Sequence, residues 1–124
     1  MPEYSAFVRT DRLPSTADVL RALSSRGWAL ELDGDDALSA RSGELGLTID
    51  GQPVPVQISV DTDDLGLGEG EAWTAVAKAS DVRLRFSSDH EGGRWARDVA
   101  RGVALLAMGA YLADGADAPI HFGR

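Results

Sequence analysis

The sequence predicts an α+β domain: a mostly antiparallel sheet containing a central hairpin, packed against an N-terminal helix and a long C-terminal helix. Three observations lead there. Leu45, Leu47 and Ile49 alternate with polar or small residues, Asp50-Gly51 supplies turn chemistry, and Val54, Val56, Ile58 and Val60 alternate back, the pattern of a hairpin with one buried face. Helical periodicity brackets this region on both sides. The chain has 124 residues, 44% of them hydrophobic and 26% charged, enough for one ordinary core and far from the composition of disordered chains. A single domain over residues 1–124 is expected.

In chain order, Ala6-Phe7-Val8 reads as a short strand. Pro14-Ser15-Thr16-Ala17-Asp18 reads as a helix start, with Ser15 as the cap and Asp18 at the positive end of the dipole. Val19, Leu20 and Leu23 share one face, and Gly27 ends a helix of Ser15 to Arg26. Trp28, Leu30 and Leu32 alternate with Ala29, Glu31 and Asp33, predicting a half-buried strand that Gly34-Asp35-Asp36 closes. In the return strand of the hairpin, Pro53 and Pro55 place its beginning at a sheet edge. The segment Asp61 to Glu71 is a polar, glycine-rich loop, and residues 72–79 fit a short helix or a strand. Val82, Leu84 and Phe86 alternate with Arg83 and Arg85, a further strand. A long helix is expected from about Gly93 to Ala113, capped by Ser88 or Asp89 and stopped by Gly115. Its stripe is Trp95, Val99, Val103, Leu106 and Ala110. The second half of this helix is apolar nearly all round, so the sheet, the first helix or a second subunit must cover it. Ile120-His121-Phe122 reads as a last short strand.

Composition narrows the function classes. There is no cysteine, hence no disulfide framework and no thiolate chemistry, which fits the cytoplasm. No segment has the length or apolarity of a membrane span, and the N-terminus does not read as a secretory signal. The formal charge is −8 and it is unevenly placed. Glu31 to Glu71 holds eleven acidic residues against the single cation Arg41, a net of −10, and the remainder nets +2. A domain of this size has a radius of gyration of about 14 Å, and salt screens charges beyond about 8 Å. The acidic segment therefore acts as a local patch.

No motif specifies catalysis. Asp61-Thr62-Asp63-Asp64-Leu65-Gly66 begins like a calcium loop but has Leu65 at the fifth position and Ala72 at the twelfth. Gly66, Gly68 and Gly70 are surrounded by carboxylates and followed by no lysine, so phosphate is repelled. His90 and His121 lack the spaced partners of a zinc site. Arg94, Arg97 and Arg101 line one side of the long helix, but Asp98 lies within a turn of Arg94 and Arg101, and an acidic chain is a poor nucleic-acid binder. No catalytic residue, metal site, cofactor or nucleic-acid partner is expected. The charge favours a binding surface instead. Asp33, Asp35 and Asp36 at the end of one strand, and Asp61, Asp63, Asp64, Glu69 and Glu71 after another, are expected to meet at one rim of the sheet. Clustered carboxylates repel one another, which suits a basic protein partner.

Phe7-Val8, Leu13-Pro14-Ser15-Thr16, the helix ending in Gly27-Trp28, the acidic strand Leu30-Glu31-Leu32-Asp33 and the late Ala113-Asp114-Gly115 carry a resemblance. In this order they are similar to a family of small, poorly characterised bacterial proteins. Some of those are regarded as immunity partners of polymorphic or contact-delivered toxins. The resemblance implies a cytoplasmic protein that binds a toxin and occludes its active site. The order of elements also looks like that of dimeric secretion chaperones, which implies a homodimer through the long C-terminal helix and an effector as partner. A small ligand-binding domain or enzyme is the third alternative, and it requires a pocket that gathers His90 or His121 with carboxylates.

Overall fold

The computed structural model describes residues 1–24, 27, 29–34 and 37–122. Trp28 and the ends assigned to the first helix at Ser25 and Arg26 lie outside the described residues, as do Asp35 and Asp36. Among the described residues are nine strands and three α-helices. The strands are β1 (Glu3–Val8), β2 (Leu30–Leu32), β3 (Gly43–Glu44), β4 (Leu47–Ile49), β5 (Gln52–Val54), β6 (Gln57–Asp61), β7 (Val82–Ser87), β8 (Ala110–Leu112) and β9 (Ile120–His121). The helices are α1 (Thr16–Ser24), α2 (Glu71–Ala79) and α3 (Arg94–Leu106).

All pairings are antiparallel, in two sheets. The larger has the order β3-β6-β7-β1-β8-β9 and the smaller β2-β4-β5. The expected hairpin is present as β4 and β5. Both of its turn residues have positive φ, 51° at Asp50 and 82° at Gly51, the twist that matches the flanking strands. Its return strand, however, does not run on to Val60 in one sheet. It ends at Val54, on the edge where Pro53 costs no ladder bond, and after Pro55 and Val56 the chain enters the larger sheet as β6. Ser88 fixes this crossing point: its buried hydroxyl donates to the Pro55 carbonyl and accepts from the His90 N–H. Ser88 thus has a different duty from the helix cap expected of it.

The main core lies between the larger sheet and the layer of α1 and α3. Ala6 and Val8 of β1, Ile58 of β6 and Val82, Leu84 and Phe86 of β7 meet Val19 and Leu23 of α1 and Trp95, Val99 and Val103 of α3. α1 begins as expected, with the Ser15 hydroxyl accepting the Asp18 N–H at 3.1 Å. Residues 72–79 are helical, within α2. The opposite face of β1 and β8 carries a second, smaller cluster of Phe7, Trp73, Val76 and Ala110, which seats α2. Phe7 and Trp73 meet edge to face at 5.6 Å between ring centres, a favoured aromatic arrangement.

The last helix differs from expectation at both ends. It is entered through three residues of positive φ, Glu91, Gly92 and Gly93, with no side-chain cap. It stops at Leu106, seven residues early. Met108 turns with φ 55°, and Gly109 passes so close to β1 that a Cβ there would overlap the Phe7 carbonyl oxygen. Ala110 to Leu112 then pair with Ser5 to Phe7 as β8. A short apolar run buried on both sides looks alike as helix or strand, which is why periodicity extended the helix.

Candidate acidic surface

The acidic loop runs from the end of β6 to the start of α2, and its own side chains hold it in place. Leu65 and Leu67 turn inward onto the Phe7–Trp73 cluster. Gly68 crosses the edge of the indole, where a Cβ would come within 2.5 Å of Trp73 Nε1. Asp64 accepts the Gly66 N–H at 2.9 Å, an Asx-type turn. With the leucines inward, Asp63, Asp64 and Glu69 face solvent, and Glu71 is exposed in the first turn of α2.

Arg83 and Arg85 share the sheet face from which this loop departs. Arg83 donates to the Leu65 carbonyl at 3.0 Å and to the Ser5 hydroxyl at 3.0 Å, and its guanidinium lies 5.0 Å from the centre of the Phe7 ring. Burial, followed by the neighbouring charge of Arg85, lowers its pKa from the usual guanidinium value, without bringing it near deprotonation. Arg85 holds Asp61 through two contacts, Nε to Oδ2 at 2.8 Å and Nη2 to Oδ1 at 3.1 Å. Glu3 stands between the two arginines, at 4.0 Å from Arg83 and 3.9 Å from Arg85. Two cations and two carboxylates therefore balance, and Asp61 belongs to this neutral network more than to the acidic surface.

The eight carboxylates singled out from the sequence are thus not equivalent. Asp63, Asp64 and Glu69 lie on one loop and Glu71 begins α2 directly after it, and among the described residues none of them forms an ion pair. Asp33 is exposed but ends β2, in the smaller sheet, so the expectation that both acidic segments end neighbouring strands of one sheet is corrected. Asp35 and Asp36 lie outside the described residues. Arg41, the lone cation of the acidic segment, is directed at backbone: it donates to the carbonyls of Asp33 and Gly34.

The fold adds one carboxylate that sequence reasoning missed. Trp73 Nε1 donates to the Asp117 carbonyl at 3.2 Å, which draws the exposed turn of residues 114–117 against α2. Asp114 is occupied there, accepting the Glu3 N–H at 3.0 Å, while Asp117 is exposed beside Trp73. A separation of 44 residues between Trp73 and Asp117 leaves no local signal from which this neighbour could be read.

The histidines are placed apart. His90 lies beyond the Glu3 end of β1, beside a hollow of about 120 Å³ lined also by Met1, Pro55 and Asp89. His121 pairs with Ala110, level with Phe7. Among the described residues no three His, Asp or Glu side chains are grouped to hold a metal ion, and no helix is long and apolar enough to cross a membrane.

What fold and surface together define is an antiparallel α+β domain with a tethered, solvent-facing acidic loop. The chain matches no known protein family, no curated protein and no solved structure.

Proposed function

We propose that this chain is a protein-binding module, a cytoplasmic immunity-type protein that presents the loop of Asp63, Asp64, Glu69 and Glu71, with Asp117 beside it, to a basic toxin. The observation that carries the reading is the division of labour among the acids. Arg85 neutralises Asp61, whereas the four loop carboxylates stay exposed with no cation of the described chain against them. Unpaired like charges held together by an anchor of buried Trp73 and half-buried Leu65 and Leu67 work against stability. They raise the encounter rate with a positive surface. The reading assigns the chain binding, not catalysis, and needs no cofactor.

The test pairs the purified chain with the product of a toxin-like reading frame beside its gene. Replacing Asp63 and Asp64 by Asn and Glu69 and Glu71 by Gln should slow association by roughly tenfold or more at low salt and flatten its salt dependence. Melting should move little, because all four side chains are exposed. Unchanged association rates, or the lack of any binding to that product, overturn the reading.

A second reading, a secretion chaperone for an effector, is favoured by one observation. Leu105, Leu106 and Met108 are exposed at the end of α3, the region expected to need cover. Capture of a secreted effector encoded beside the gene, in place of a toxin, would favour it.

A further inference from the structure

The stretch between β6 and β7 is fastened firmly at its two ends and weakly between them. At one end Arg85 holds Asp61 at 2.8 Å, where β6 pairs with β7. At the other, the Asp81 N–H donates to the Val8 carbonyl at 3.0 Å. The Asp81 carboxylate there also accepts the N–H and the hydroxyl of Thr10, at 2.8 and 2.9 Å. Of residues 62–80, only Trp73 and Val76 are buried. They lie on Phe7 and Ala110 with half-buried Leu65 and Leu67, in a cluster separate from the main core. Among the described residues two hydrogen bonds tie this stretch to the rest of the chain, Trp73 Nε1 to the Asp117 carbonyl and Arg83 to the Leu65 carbonyl. A segment with few buried apolar contacts, bounded by well-paired strands, is the kind that opens locally without global unfolding.

Closure of this stretch also carries costs. Asp63, Asp64, Glu69 and Glu71 fall close together in the chain, and among the described residues no ion pair offsets their mutual repulsion. A compact backbone holds such charges nearer to one another than an open one does. α2 starts after Gly70, whose φ is 115°, without a side-chain cap, so its first N–H groups gain no side-chain acceptor. At its other end the Ser80 hydroxyl is buried with no hydrogen-bond partner, and opening returns that group to water.

We infer that residues 62–80, the acidic loop together with α2, form a flap that opens as one unit between the fixed points Asp61 and Asp81, while the larger sheet and α3 stay folded. Opening lets the four carboxylates move apart and uncovers Phe7 and Ala110 beneath α2. Closing gathers them, so whatever neutralises them favours the closed form, salt by screening and a cationic surface by pairing. The flap itself stands on packing and charge alone. Its consequence for binding rests on the acidic-surface reading: a basic partner closes the flap as it binds, and its apparent affinity scales with the fraction of chain already closed.

The test is amide hydrogen exchange of the full chain, followed residue by residue by NMR with no partner present. At low salt the hydrogen-bonded amides of α2 should exchange at one common opening rate, roughly tenfold or more faster than those of α3 and β7. Their urea dependence should be weaker, because local opening exposes less surface. Raising sodium chloride to about 1 M, where the screening length falls to about 3 Å, should slow α2 exchange by roughly threefold or more relative to α3. The variant with Asp63→Asn, Asp64→Asn, Glu69→Gln and Glu71→Gln should exchange slowly at low salt and lose the salt response. Ser80→Ala, which removes the unpaired hydroxyl and no carboxylate, should slow α2 exchange as well. Exchange of α2 in step with α3 at every urea concentration overturns the flap, since the segment then opens only with the whole chain. A salt response that persists in the four-carboxylate variant overturns the part assigned to charge. Because no partner enters the measurement, failure of the acidic-surface reading leaves these outcomes as they are.

Discussion

The two faces of the six-stranded sheet are built on different principles. Toward α1 and α3, β7 presents Val82, Leu84 and Phe86, each 1% exposed or less, and they join one large apolar cluster with Val19, Leu23, Trp95, Val99 and Val103. Toward the loop, the same strand presents Arg83 and Arg85, and the covering cluster is small, centred on Phe7 and Trp73. The period-two alternation of one strand thus serves both a core and a charge network. The first face supplies most of the burial that stabilises the fold. The second uses directed contacts to Leu65, Asp61 and Glu3 to hold a loop whose outward residues are left available.

The largest effect should separate these roles. Phe86→Ala empties a site in the main core and should destabilise by about 4 kcal/mol, whereas Trp73→Ala in the small cluster should cost about 3 kcal/mol, both read by denaturant unfolding. The two should differ more in kind than in size. Trp73→Ala removes the indole that Gly68 crosses and the bond to Asp117, so limited proteolysis should cut within residues 62–70 while the wild-type loop resists. Equal resistance in both variants would mean that the loop is held elsewhere.

Arg85→Ala should have a smaller effect, about 1 kcal/mol, since its ion pair with Asp61 is partly exposed and screened. It should also release Asp61 to the acidic surface and steepen the salt dependence of partner association. A loss of several kcal/mol would show the charged face to be as structural as the apolar one.

The smallest effect concerns pH. Tyr111 lies on the core side of β8, stacked on Tyr4 at 6.4 Å. Burial, then the neighbouring Tyr4, raises its pKa above the ordinary value of 10.0, against the opposing pull of Arg97 and Arg101. The folded state keeps a proton that the unfolded state releases, so this contribution is complete below pH about 10 and is lost as pH rises through the folded pKa. Tyr111→Phe should flatten the fall in stability above that pH. An unaltered alkaline profile would place the sensitivity in another group.

Local pattern was a good guide wherever one face of an element met water. Ser15 capping α1, the turn at Asp50-Gly51, the strand from Val82 to Phe86 and the edge position of Pro53 were all legible, because each depends on neighbours within a few residues. The pattern misled where an element is buried on both sides or where the chain changes layer. Ala110 to Leu112 read as helix, and the strand after Val54 read as continuous, since apolar periodicity does not record which sheet a strand joins. Of the candidate surface, Asp63, Asp64, Glu69 and Glu71 were legible as a charge run. The withdrawal of Asp61 by Arg85 and the arrival of Asp117 were not, because they join residues 24 and 44 positions apart.

By itself the sequence determined the α+β class, the hairpin and the concentration of negative charge between Glu31 and Glu71, all properties of composition and short-range spacing. Only the tertiary structure decided which carboxylates remain unpaired, that β2 and β6 belong to different sheets, and that the α1–α3 layer lies across the sheet from the acidic loop. Those outcomes depend on strand order and on the approach of Gly109 to Phe7, contacts between residues too distant along the chain for any local periodicity to carry.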